Sequence, residues 1–346
     1  MGPGAGGTSL AVNAAFFKYI AKKVLLMLPL LWGVVTLIFV LLELSPGTAV
    51  DKFITEDTSP EVRAMLVAKW HLDDPAYLRY LGMLRNLAVA DFGVSMQRDK
   101  PVFEIIREFL PNTILLSFVT MAVQYPLGIT LGTAQAWLQG RKNVDVLDTG
   151  ISLASLTMYS MPGFVLALLL QYTFAYALKG TMFELPSSAM VDPVMYEYMG
   201  STDQWIDRAK HLILPGLFMG VAHSAGIARY MRSAVLEVIR QDYIRTARAK
   251  GLSEWRVVLV HGLRNALLPV ITLFGLSLPG VFAGSVLVER IFAWPGMGRC
   301  IVDAIFAQDT PLIIACFFVY ACIVAAGSLL ADLSYAFADP RIRYDA

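Results

Sequence analysis

Six stretches of this chain contain no Asp, Glu, Lys or Arg: 24–42, 111–140, 149–178, 212–228, 265–288 and 310–331. No other feature limits the fold as much. A bilayer core of about 30 Å needs about 20 apolar residues in a helix, because backbone groups facing lipid must be satisfied within their own segment. Composition agrees, since 57% of the 346 residues are hydrophobic and only 16% are charged, too little charge for an ordinary soluble domain of this size. The expected fold class is therefore an all-α membrane protein with six transmembrane helices. The fourth window is the shortest, holds His223, and needs a further turn on the Arg229 side, where a long basic stem reaches toward headgroups. Lys18, Lys22 and Lys23 precede the first window as in a signal peptide, but the apolar run exceeds a typical signal core and reads as an uncleaved signal anchor.

An even number of spans puts both termini on one side, and the placement of basic residues says which side. The net charge of +1 carries no information about nucleic acid or an acidic partner. Between the fourth and fifth windows, residues 229–264 hold eight Lys/Arg against three acids, which puts that loop and both termini in the cytoplasm. The resulting layout is a cytoplasmic tail at 1–23, a first span at 24–44, an extracytoplasmic segment at 45–110, a transmembrane core of the remaining spans at 111–335 with a cytoplasmic loop at 238–265, and a cytoplasmic tail at 336–346.

The basic loop has a readable local structure. Asp242 to Lys250 lacks Pro and Gly and forms an amphipathic helix, with Ile239, Tyr243 and Ala247 on one stripe and Arg245 and Arg248 on another. Gly251 stops it, and Ser253 is placed to cap a second short helix through Trp255, Val258 and Leu259 that ends near Asn265, before Pro269. A small-residue corner can enter a partner's groove, because no bulky side chain keeps two backbones apart. The same residues also suit a basic interfacial helix with no partner but lipid. Physical chemistry leaves both readings open.

Tyr243-Ile244-Arg245-Thr246-Ala247-Arg248-Ala249-Lys250-Gly251-Leu252-Ser253, followed by His261-Gly262-Leu263-Arg264-Asn265-Ala266-Leu267-Leu268-Pro269, resembles the coupling loop of binding-protein-dependent ATP-binding-cassette importer permeases. The branch it resembles is the B-type permease of dipeptide and oligopeptide importers. The superfamily pattern is Glu-Ala-Ala, three residues, then Gly, whereas this chain has Arg245-Thr246-Ala247 before Gly251, a replacement typical of the peptide branch. Where that pattern expects Leu-Pro the chain has Leu263-Arg264 and delays its proline to Pro269. Further pieces of the resemblance are Leu44-Ser45-Pro46-Gly47, Asp91-Phe92-Gly93-Val94-Ser95, Leu110-Pro111-Asn112-Thr113, Gly284-Ser285-Val286-Leu287-Val288-Glu289, Trp294-Pro295-Gly296-Met297-Gly298 and Asp339-Pro340-Arg341-Ile342-Arg343-Tyr344.

The resemblance implies a type I importer permease in the cytoplasmic (inner) membrane, paired with a second homologous permease, docked on two cytoplasmic ATPase subunits and served by an extracytoplasmic substrate-binding protein. By the same resemblance Arg245, Thr246, Ala247, Arg248, Lys250, Gly251 and Leu252 form the ATPase-coupling loop, and transport proceeds by alternating access. Pro126, Pro162 and Pro279 each free a backbone carbonyl and are candidate gating kinks, although membrane helices also carry proline without a gating role. Gly280 and Gly284 are spaced for close helix packing. Helical stretches near Pro60 to Trp70 and Pro75 to Leu87 suggest a cap in the outer segment, either a landing surface for the binding protein or a plug touching only its own chain.

Other classes fit less well. An ion-coupled carrier needs ionisable groups near the bilayer midplane, and the six windows offer only His223. No H-E-x-x-H, G-x-S-x-G or phosphate-loop motif is present, so no catalytic residue is expected and ATP hydrolysis belongs to another chain. Cys300, Cys316 and Cys322 form no C-x-x-C pair, so neither a metal nor a cofactor is expected. Cargo stays open among dipeptides, longer peptides, glutathione, nickel complexes and oligosaccharides.

Overall fold

The computed structural model describes the backbone of residues 5–46, 59–70, 73–139, 149–150, 153, 156–157 and 160–338, and their side chains except at 5–17, 63, 66, 268–269, 271–272, 275–276, 278–285, 331 and 333–338. The loop at 141–148 and the motif at 339–344 lie outside the described residues. The helices run in the order α1 (Ala5–Leu44), α2 (Pro60–Lys69), α3 (Ala76–Ala88), α4 (Val102–Leu138), α5 (Gly163–Gln171), α6 (Ser201–Ile239), α7 (Asp242–Ala249), α8 (Glu254–Arg256), α9 (Leu263–Ile291), α10 (Met297–Ala307) and α11 (Thr310–Ala338). Helix α5 continues as a π-helix over Tyr172–Ala177, and α8 does so over Val257–Gly262. Among the described residues the sole β-pairing is an isolated bridge between Val94 and Pro101.

Among the described residues, four helical segments are long and apolar enough to cross a membrane: Lys18–Leu44, Val102–Leu138, Ser201–Ile239 and Thr310–Leu330. Gly163–Ala177 is a shorter apolar helix, and α9 covers the fifth charge-free window. Charge-free length underestimates α1 and α6, because a helix emerging from the apolar layer keeps its hydrogen bonds and carries its charges into the polar zone. Thus α6 extends well beyond 212–228 on both sides, and α1 begins at Ala5, taking in most of the stretch expected as a tail. The second elbow helix does not end near Asn265. Its backbone passes through the π-helical turn directly into α9.

Contacts divide the chain into two units, one of Met1–Pro111, Cys300–Leu329 and Arg341–Ala346, the other of Asn112–Arg299 and Leu330–Pro340. In the first unit α3 leans on α1. Tyr80 shares a hydrogen bond with Thr36 (2.7 Å), its ring meets Phe39 at 5.2 Å, and Arg79 pairs with Glu43. Asp309 sits with no exposed surface at the start of α11. It accepts the Leu312 N–H (3.3 Å) as a helix cap, the Ser95 hydroxyl, and the N–H groups of Met96 (3.1 Å) and Gln97 (3.2 Å). One carboxylate thereby fixes the turn after the Asp91-Phe92-Gly93 motif, since an ionised acid offers several acceptor positions.

The second unit is built around α6. Its apolar window is 61% buried, against 6% for the first helix, so α6 is a core element while few residues of α1 are fully buried. Leu214, Phe218, Met219 and Met231 of α6 pack with Leu116, Met121 and Tyr125 of α4, Leu166 and Ala167 of α5, and Val288, Phe292 and Trp294. Glycines set the α4–α6 distance reciprocally. A Cβ on Gly216 or Gly220 of α6 would lie 2.6 Å or 2.5 Å from Val119 or Val123 of α4, and one on Gly128 or Gly132 of α4 would lie 2.5 Å from Ile227 or 2.3 Å from the Ala228 carbonyl of α6. Where lipid replaces water, such small-xxx-small spacing lets backbones approach for dispersion contact.

Candidate functional site

The basic loop folds as an elbow whose corner is dictated locally. Helix α7 ends with Gly251 at φ +75, a left-handed conformation that costs other residues about 1–2 kcal/mol. Gly251 donates its N–H to the Arg248 carbonyl (2.9 Å) and Leu252 to that of Ala247 (3.4 Å), the double closure of a Schellman motif. Its apolar partner contact is present too. Ile244, Ala247 and Val257 are buried together, with Leu252 and Val238 packed against them. Ser253 occupies the N-cap position of α8 in extended backbone, and Val257 donates to its carbonyl at 3.1 Å.

The inward stripe of α7 is thus Ile244 and Ala247, while Tyr243, Arg245, Thr246, Arg248 and Lys250 are exposed. Tyr243 accepts a hydrogen bond from the Asn265 side chain (2.7 Å), tying the first turn of α7 to the start of α9. Arg245 reaches Asp242 at 3.3 Å with both side chains mostly in solvent, a pairing that contributes little and leaves the guanidinium available. Arg248 differs. It holds Glu254 through two bonds, Nε to Oε2 at 3.2 Å and Nη2 to Oε1 at 2.6 Å, and this partner raises the guanidinium above its ordinary pKa. Of the seven expected loop residues, then, Ala247 faces inward, Arg248 is engaged within the elbow, and Arg245, Thr246, Lys250 and Gly251 lie on its outer surface with Leu252 half-buried beside them.

The expected kinks differ in kind. Pro126 lies inside the continuous helix α4, whereas Pro162 precedes α5 at its N-cap position, so it starts a helix rather than bending one. Pro279 lies within α9, and its side chain is outside the described set. Pro29 of α1, Pro111 of α4, Pro215 of α6 and Pro269 of α9 also sit inside helices.

Sequence reasoning missed a second constellation in the same unit. Glu289, at the end of α9, has no exposed surface. Its carboxylate accepts the Thr113 hydroxyl (2.8 Å) and the Arg299 N–H (2.9 Å), and Thr113 in turn accepts the Met297 N–H (2.7 Å). Beside it, Asn112 donates to the Pro295 carbonyl (2.8 Å) while the buried Trp294 indole donates to the Asn112 carbonyl (3.0 Å). A Cβ on Gly296 would fall 2.3 Å from the Glu289 carboxylate. Three motifs that are distant in sequence, at 110–113, 284–289 and 294–298, are therefore parts of one clasp. Their shared signal was an acid and small polar residues at the edges of apolar windows.

His223 hydrogen-bonds the Met219 carbonyl of its own helix at 2.7 Å. Among the described residues no group of His, Cys, Asp and Glu is arranged to hold a metal.

The fold has a counterpart among solved structures. A chain of the MetNI methionine ABC transporter, in the native CY5 crystal form of its inward-facing conformations, aligns with a TM-score of 0.54 and 16% identity, covering 69% of this chain and 98% of that one. That likeness defines the fold, a helical architecture shared with a chain of an ABC transporter. Residues 124–344, which include the elbow and most of the clasp, match the binding-protein-dependent transport system inner membrane component family, and the chain belongs to that family. It is 39% identical over 327 residues to the oligopeptide transport system permease protein AppB of Bacillus subtilis, covering 94% of this chain and 99% of that protein. It is 37% identical over 339 residues to the di/tripeptide transport system permease protein DppB of Pseudomonas aeruginosa, and 35% identical over 346 residues to the dipeptide transport system permease protein DppB of Escherichia coli K12, each alignment again covering 94% and 99%. The chain is thus a permease component of an ABC importer, similar along nearly its whole length to permease proteins of peptide transport systems.

Proposed function

We propose that this permease forms one half of an ATP-driven peptide importer in the cytoplasmic membrane, with six spans and both termini cytoplasmic. The single observation that carries the reading is the closed, basic elbow between α6 and α9, presented on the side where the basic-residue asymmetry puts the cytoplasm. In this reading Arg245, Thr246, Lys250, Gly251 and Leu252 dock on an ATPase subunit, and Ala247 acts from beneath by holding α7 onto Val257. A rigid elbow suits the task. Closure of two ATPases displaces α7, and the unbroken path from α8 through the π-helical turn into α9 carries that displacement into the membrane, switching the paired permeases between inward-open and outward-open states.

Peptide cargo follows from the names of the relatives, and an extracytoplasmic binding protein follows from the family. Pro126 and Pro279, inside long helices, are the bending points of the proposal, while Pro162 supplies a break at the start of α5. The test is uptake of a labelled alanyl dipeptide into cells carrying the permease pair and the binding protein, with and without the ATPase subunits. Uptake that needs all components supports the proposal. Uptake that persists after the ATPases are deleted identifies an ion-coupled carrier instead.

A further inference from the structure

We infer that Arg248 and Glu254 form a brace that sets the angle of the elbow, so that Arg248 is a positioning residue and not a contact to the partner. The inference rests on the proposed docking of α7 and assigns one of its basic residues a different task. The two side chains lie on opposite sides of the Gly251 corner and meet through two parallel bonds, Nε to Oε2 at 3.2 Å and Nη2 to Oε1 at 2.6 Å. A forked guanidinium on a carboxylate fixes orientation as well as distance, which a single bond or a lysine does not.

The brace also occupies the gap left by the other restraints. Ile244, Ala247, Val257 and Leu252 hold one side of the elbow by packing, and the Leu252 N–H closes the backbone onto Ala247. The Tyr243–Asn265 hydrogen bond ties the far end of α7 to α9, but none of these crosses the solvent side of the corner itself, where glycine removes the Cβ that would otherwise limit rotation. Arg248 and Glu254 span that side. Glu254 stands at the start of the helical path that continues through Val257–Gly262 into α9, so the brace joins the docking helix directly to a membrane helix. The pair is about 40% exposed, with side chains at 39% and 41%, and half-exposed ion pairs contribute little to folding stability. Removing it therefore loosens an angle without unfolding the chain.

The full-length permease, assembled with its partner permease and ATPases in lipid vesicles, carries spin labels at two exposed positions, Ala249→Cys and Leu259→Cys. Arg248→Gln and Glu254→Gln should each broaden the label-to-label distance distribution, retain the ATPases on purification, and lower dipeptide uptake per ATP hydrolysed by about threefold, the scale of one lost exposed pair. The charge-swapped double variant Arg248→Glu/Glu254→Arg should narrow the distribution again and recover uptake. The brace is overturned if both single variants keep the narrow distribution, if the swap restores nothing, or if Arg248→Gln alone strips the ATPases away. Should the unaltered chain capture no ATPase, the docking proposal has failed, and the distance distributions decide the brace by themselves.

Discussion

Glu289 shows what one side chain demands of its surroundings. An acid with no exposed surface is tolerated only when its acceptor positions are filled, and here a hydroxyl and a backbone N–H fill them while Gly296 leaves room for the carboxylate itself. Glu289→Leu strands the Thr113 hydroxyl and the Arg299 N–H, each worth about 1–3 kcal/mol when buried unpaired. Thermal melting in detergent should fall clearly for Glu289→Leu and less for Glu289→Gln, which keeps one acceptor oxygen; equal melting temperatures for both would remove the clasp from the account. Gly251 makes the converse demand, for backbone and not for partners. Gly251→Trp is expected to reach the membrane in normal amount and to lose ATPase co-purification and transport, because a side chain at a left-handed corner both strains it, by about 1–2 kcal/mol, and lifts it from any groove. Normal transport by that variant rules out docking through this corner.

Among the elements, the α4–α6 pair is the most exacting. Glycines on α6 face valines on α4 in one half of the crossing, and the order reverses in the other half, so neither helix can move off without opening both. Gly220→Ala should destabilise the chain by about 1–3 kcal/mol, as overpacking does, and Val123→Ala in the same chain should recover part of the loss. Gly33→Ala, where a Cβ meets nothing within 4 Å, serves as the control and should be close to neutral. This pairing was only partly legible beforehand. The x-x-x spacing of Gly216 with Gly220 and of Gly128 with Gly132 is visible in the sequence, as is that of Gly280 with Gly284, but spacing alone does not say which helix lies opposite. The elbow was more legible, since a helix, a glycine stop and a capping serine are local devices that each act within about one turn. The continuation past Asn265 was not, because Pro269 is the seventh residue of α9, and a proline inside a helix removes one backbone donor and bends the helix without having to end it.

For the whole molecule, basic-residue asymmetry makes a topological prediction. A cysteine at Lys250 should react with a membrane-impermeant maleimide only after the inner face is opened, and one at Tyr198, which is 82% exposed between α5 and α6, should react in intact cells. Labelling in the reverse order inverts the orientation and separates the elbow from any cytoplasmic partner. The charge-free windows, the two elbow helices and the resemblance to a permease family were all determined by the sequence itself, because lipid burial, helix stops and turn closure are decided by residues close together in the chain. What only the tertiary structure decided were the meetings between segments: Asp309 with Ser95 and Glu289 between Thr113 and Gly296, far apart in the chain, and, across the elbow, Arg248 forked onto Glu254 and Ala247 turned toward Val257. Each depends on where a folded backbone brings two segments, and no local propensity encodes that position.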